Sequence, residues 1–179
     1  MADTETSILA ISASPAEASR TEKLAEFALQ SLGGVADGKD HLRLRTLPVD
    51  SLVRAKLDHP DIAAALKKVE DAAVIVIATP TYKASYSGLL KIFLDVLPQY
   101  GLRGKVVLPL AVGGTIAHMQ MLDLCLRPVL QSMWPRHIGQ GCFLLSQDVE
   151  FDDRGVLKNG TPSVALLQDV IDSFRAMMD

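Results

Sequence analysis

The run AVIVIA at residues 73–78 passes straight into TPTYKASYSGLLKIFLD at 79–95, and this junction constrains the fold more than any other segment. The first stretch is rich in β-branched side chains and carries no charge, which suits a strand buried on both faces of a helix-covered parallel sheet. The second turns polar and aromatic and then opens a helix. In open α/β sheets, ligands bind at such carboxyl ends of strands.

Strand and helix signals alternate along the rest of the chain. Strands are expected at 7–12, 41–47, 73–78, 105–112 and 138–145, and helical segments at 21–32, 62–69, 88–97, 116–133 and 163–178. Parallel strands need crossover connections, so the pattern predicts an α/β fold: a doubly wound, five-stranded parallel sheet with helices on both faces. HLRLRTL at 41–47 alternates polar and apolar residues, which places this strand near a sheet edge and favours the flavodoxin-like order 2-1-3-4-5. Gly33-Gly34 and Asp37-Gly38 mark a connection, and Asp58 or His59 is expected to cap the helix that follows Pro60. No break is long enough for an interdomain linker, so residues 1–179 read as one domain.

At 49% hydrophobic residues the chain can bury a sizeable core, and its net charge of −3 gives no general attraction for nucleic acid or anionic membranes. MADTET lacks the basic and apolar parts of a secretory signal, and no later run has membrane-spanning length; a soluble cytoplasmic protein is expected. Cys125 and Cys142 read as buried, reduced thiols. His41, His59, His118 and His137 are too dispersed for a zinc site, and no metal is expected.

Three loops at the predicted carboxyl edge can hold a ligand. SASPAEASRT at 12–21 offers hydroxyls, backbone N–H groups and the guanidinium of Arg20 at a helix start, which suits a phosphate monoester; the alternative is a Ser-rich turn with Ser19 as a cap. Neither a GxGxxG fingerprint nor a P-loop is present. Pro80, Thr81 and Tyr82, with Ser85, Ser87 and Gly88 behind them, can wall a flat heteroaromatic ring, or else pack and cap. Gly113-Gly114-Thr115 lets the backbone lie against a ligand. Lys83 and Lys91 read as surface charges, His118 as a packing or capping residue, and Asp123 with Arg127 as an i,i+4 ion pair.

The segments SASPAEASRTEKLAEF, IATPTYKASYSGLLKIFLDVLP and GKVVLPLAVGGTIAHMQMLDLCLRPVL together resemble the NADPH-dependent FMN reductases. The likeness spans about residues 8–143 and is nearest to the reductase components of two-component alkanesulfonate and methanesulfonate monooxygenases. It implies an FMN phosphate held by Ser14, Ser19, Arg20 and Thr21. It also implies an isoalloxazine bordered by Pro80, Thr81, Tyr82, Ser85 and Ser87, and a pocket completed by Gly113, Gly114 and Thr115. NADPH or NADH would pass hydride to flavin N5 with no side-chain catalyst, and reduced FMN would leave for a flavin-dependent monooxygenase in sulfonate or sulfur assimilation. An FMN-retaining quinone or azo reductase and a flavodoxin-type electron carrier are the alternatives. Two positions depart from the relatives: Ala16 stands where some have Arg, and Leu124 where some have a Tyr associated with a π-bulge and tetramer packing. Apolar residues beyond one core stripe, including Phe93, Met119, Met121 and Leu122, predict a homodimer or homotetramer.

Overall fold

A computed structural model describes residues 7–32, 38–152, 157–158 and 160–178. The predicted connection at 33–37 lies outside them, apart from Gly38, which opens a strand. The elements run β1 (Ser7–Ser12), α1 (Arg20–Leu32), β2 (Gly38–Arg43), α2 (Val49–Val53), α3 (Pro60–Asp71), β3 (Val74–Tyr82), β4 (Ser85–Tyr86) and α4 (Gly88–Asp95). Then follow β5 (Val106–Gly113), α5 (Arg127–Ser132), β6 (His137–Ile138), β7 (Cys142–Leu145) and α6 (Pro162–Arg175). The parallel order is β2-β1-β3-β5, with β6 and β7 sharing the outer place beside β5. This is the flavodoxin-like doubly wound sheet with β2 at one edge.

Successive strand residues point to opposite faces, and both faces are covered, which is why residues 8–11 of β1, 74–78 of β3 and all of β5 are apolar. Leu9, Ile11, Ile75, Ile77 and Val107 pack with Ile62, Val69, Phe93 and Leu130 from α3, α4 and α5. Their neighbours Ile8, Ala10, Val74, Val76 and Leu108 pack on the other side with Leu24 and Leu29 of α1 and Leu167 and Phe174 of α6. Each such Val, Leu, Ile or Phe side chain contributes about 1.5–3 kcal/mol by leaving water. Phe93, Met121 and Leu122 belong to the chain's own core, so of the four apolar residues assigned to subunit pairing only Met119 is exposed. Cys142 is buried, with its thiol pushed up to about 11 by burial, while Cys125 is half-buried; both are free.

Four details depart from the expected elements. The strand expected at 41–47 runs instead over Gly38–Arg43 and ends in a 3-10 turn at Leu44–Thr46. The fifth strand is broken into β6 and β7 opposite Pro109, which has no N–H to give to a ladder. Gly141 bridges the break at φ +80, where an added Cβ would lie 2.9 Å from the Pro109 carbonyl oxygen. Arg127 donates to the carbonyls of Ile138, Gly139 and Gln140 at 3.0–3.3 Å while keeping its expected pair with Asp123 at 2.8 Å. The region 116–133 is not one helix: a 3-10 turn at Ile116–His118 and a π-helical turn at Leu122–Leu126 precede α5. Pro128 lies at the start of α5, where its ring would crowd the Leu124 carbonyl in a regular helix, and the wider turn relieves that contact. The bulge thus forms with Leu124 in place of Tyr. Finally, α2 and the β3–β4 hairpin were not anticipated.

Candidate functional site

The carboxyl edges of β1, β3 and β5 bring the three candidate loops together, and the turn after β7 adds a fourth. They enclose a shallow cavity of about 210 Å³. Ser14, Ser19, Arg20 and Thr21 line it from the first loop, Pro80, Thr81 and Tyr82 from the second, and Gly113 and Gly114 from the third. Ala18, Val112 and Ser146 also line it and were not singled out from the sequence. Ser146 directly follows β7, so the carboxyl-edge rule applied to that strand would have found it; its N–H donates to the Gly113 carbonyl at 2.8 Å.

Local chemistry shapes each loop. Ser19 caps α1 by accepting from the Glu22 N–H at 3.1 Å, and Ser14 Oγ accepts from the Ala16 N–H at 3.2 Å. Arg20 is exposed and, among the described residues, pairs with no carboxylate. By contrast, Arg43 and Arg45 both bond to Glu22, behind the loop. Burial of Glu22 works against its charge, but hydrogen bonds from Arg43 and Arg45 prevail and lower its pKa. His41 of β2 is buried between Glu26 and Ser12, with Nδ1 2.8 Å from Glu26 Oε2 and Nε2 3.0 Å from Ser12 Oγ. Burial lowers the His41 pKa despite the Glu26 contact, so the ring is neutral, donating from Nδ1 and accepting the Ser12 hydroxyl proton at Nε2. This chain anchors the end of β1 two residues before Ser14.

The second loop is a tight hairpin in which Thr81 pairs with Tyr86 and Tyr82 with Ser85. Its central residues Lys83 and Ala84 have φ of 50° and 59°, as a two-residue hairpin with the right twist requires. Ser87 is fully committed: its hydroxyl donates to the Ala13 carbonyl at 2.7 Å and accepts from the Leu90 N–H at 3.1 Å, capping α4 and lacing the hairpin to the first loop. Ser85, Ser87 and Thr115 do not line the cavity, and Thr115 caps the 3-10 turn through the Ala117 N–H.

Two features fit a ligand. Thr81 Oγ1 is buried without a hydrogen-bond partner, the state of a hydroxyl that needs an external polar atom. Gly113 is buried between Phe143 and Thr81, with an added Cβ 2.5 Å from Phe143 Cζ, so only glycine fits there, while the next residue, Gly114, is exposed with nothing within 4 Å of an added Cβ. With the free guanidinium of Arg20 and the positive end of α1, the cavity offers an anion-binding end and a flat wall.

A model of the NADPH-dependent FMN reductases matches residues 6–150. The chain belongs to that family. Two curated relatives described as FMN reductase (NADPH) agree: one from Escherichia coli K12 is 39% identical over 136 residues, covering 76% of this chain and 71% of the relative. The other, from Pseudomonas putida KT2440, is 35% identical over 161 residues, covering 90% of this chain and 79% of its own length. The solved apo structure of an NADH:FMN oxidoreductase (EMOB) superposes with a TM-score of 0.86 at 40% identity, over 97% of this chain and 90% of that one. The reductase is thus an oxidoreductase that uses FMN and NAD(P)H.

Proposed function

We propose that this reductase delivers reduced FMN to a flavin-dependent monooxygenase in the cytoplasm, serving sulfonate or sulfur assimilation. The observation that carries the reading is the convergence, in one open cavity, of the exposed Arg20 guanidinium, a Thr81 hydroxyl without a partner among the described residues, and Gly113-Gly114. Ser14, Ser19, Arg20 and Thr21 would hold the phosphate, Pro80 to Tyr82 would border the ring, and Gly113-Gly114 would let its edge approach the backbone. Bound FMN would supply the hydride chemistry, accepting at N5 from the nicotinamide; the protein contributes orientation and exclusion of water. A cavity of about 210 Å³ is smaller than ordinary ligand sites of about 300–1,000 Å³. It therefore covers only part of a flavin, which leaves a face for the nicotinamide and favours exchange over retention. Exposed Tyr82, Ile116, Met119 and Leu124 supply an apolar surface for a homodimer or homotetramer.

Steady-state kinetics with NADPH and NADH against FMN, FAD, riboflavin and a quinone test this reading. The expected result is rapid nicotinamide oxidation with free FMN and a protein that loses flavin on gel filtration. Inactivity with every free flavin overturns it; retained FMN with faster quinone turnover assigns a quinone reductase instead.

A further inference from the structure

Residues 13–19 join β1 to α1, and the groups assigned to the phosphate sit on the two limbs of this loop: Ser14 just after β1, and Ser19, Arg20 and Thr21 at the start of α1. A side chain from a third element bridges its base. The His41 side chain of β2 is only 6% exposed, and both ring nitrogens are engaged. Nε2 accepts from the hydroxyl of Ser12, the last residue of β1, and Nδ1 donates to Glu26 of α1. None of Ser12, His41 and Glu26 lines the cavity.

The sequence pattern builds this bridge. Alternate side chains of a strand share a face, as do residues four apart on a helix, so His41 and Arg43 meet Glu22 and Glu26. Arg43 Nε lies 2.7 Å from Glu22 and its terminal nitrogen 3.7 Å from Glu26, while Arg45, just past β2, also pairs with Glu22. These two arginines grip α1, whereas His41 grips α1 and the end of β1 together. From the β3 side the same limb is held at Ala13, whose N–H donates to the Ala78 carbonyl at 2.9 Å and whose carbonyl accepts from Ser87.

We infer that His41 is a positioning residue for the FMN phosphate, acting through Ser12 and Glu26 to fix the separation of the two limbs without touching the flavin. The inference rests on the phosphate assignment made above. A phosphate monoester is recognised by donors converging on its oxygens, so a shift of one limb against the other is felt at that group. The isoalloxazine wall at Pro80 to Tyr82 belongs to a different loop. Neutral imidazole suits the bridge because it donates from one nitrogen and accepts at the other; a primary amide can do both, and an aliphatic side chain neither.

The test is affinity for FMN and for riboflavin, read by flavin fluorescence quenching in the parent, His41→Leu, His41→Gln and Ser12→Ala. His41→Leu is expected to weaken FMN about five- to tenfold and Ser12→Ala about threefold, with riboflavin shifted less than about twofold. His41→Gln should recover most of the FMN affinity lost in His41→Leu. Ser12→Ala removes only the link to β1 and leaves the ring in place, so it keeps the test intact should His41→Leu not fold. Equal losses for the two flavins would make His41 a packing residue and overturn the inference. Unchanged FMN affinity, or a Gln variant no better than the Leu variant, would overturn it as well. Arg20→Ala separates this inference from the reading beneath it: equal loss of FMN and riboflavin there removes the phosphate assignment and the role of His41 with it. An FMN-selective loss in Arg20→Ala, without one in His41→Leu and Ser12→Ala, removes the role of His41 alone.

Discussion

The two ends of the sheet differ in a way that volume conceals. At the amino end, between α3 and α4, lies a cavity of about 830 Å³, roughly four times the size of the one at the carboxyl end. Yet the cations lining that larger cavity are committed. Lys105 Nζ donates to the Glu70 and Ala72 carbonyls, both at 2.7 Å, Arg103 lies over the rings of Tyr100 and Trp134 at 5.1 and 4.9 Å, and Lys67 pairs with Glu70 and Asp71. The carboxyl end is small but holds Arg20 and Thr81 Oγ1, neither with a partner among the described residues. Binding capacity follows uncommitted polar groups, because a group already satisfied must break a bond before it can recognise a ligand. The amino-end cavity therefore reads as packing space between helix ends.

The largest expected effect on this contrast comes from Gly113→Val. Its Cβ would collide with buried Phe143, costing about 1–3 kcal/mol and lowering the melting temperature by about 3–10 °C, together with FMN affinity. Gly114→Ala meets nothing within 4 Å and should melt like the parent; equal shifts for both variants would remove the packing argument. Lys105→Met should cost about 1–3 kcal/mol in a denaturation experiment, since it leaves two carbonyls unsatisfied. Its FMN affinity should match the parent's, and a selective loss of FMN binding would make the amino end functional.

Arg20→Ala is expected to weaken FMN about tenfold, near 1.4 kcal/mol, with a smaller effect on riboflavin and no change in melting temperature. The smallest effect concerns pH. Burial lowers the His41 pKa from its ordinary 6.5, so on acidification the unfolded chain takes up a proton that the fold refuses. That contribution is fully present above about 6.5 and is lost as pH falls through the lower, folded value. Glu26, Glu22, Arg43 and Ser12 surround the ring. Denaturation midpoints should be flat from pH 8 to about 7 and decline below about 6.5, and His41→Gln should abolish that step. A decline of the same size in His41→Gln would assign it to the carboxylates.

Much of this was legible in the chain because it rests on local chemistry. Residues 73–78 announce a doubly buried strand, Ser19 and Ser87 sit at cap spacing, His59 precedes Pro60 at the start of α3, and Asp123 and Arg127 are four residues apart on one helical surface. The β3–β4 hairpin was hidden because Lys83 and Ala84 occupy left-handed positions that sequence reading expects of Asn and Gly. The break between β6 and β7 was hidden because its cause, Pro109, lies on a different strand.

By itself, then, the amino-acid sequence determined the alternating parallel architecture, the edge place of β2 and the three loops that meet at the carboxyl end, since periodicity and crossover geometry are properties of short segments and their order. Tertiary structure alone decided which polar groups in those loops are free. Ser87 is bound to Ala13 across 74 residues and His41 to Ser12 across 29, while Thr81 Oγ1 has no partner among the described residues. Whether a hydroxyl or a guanidinium remains available depends on neighbours brought from distant parts of the chain, and only folding sets those neighbours.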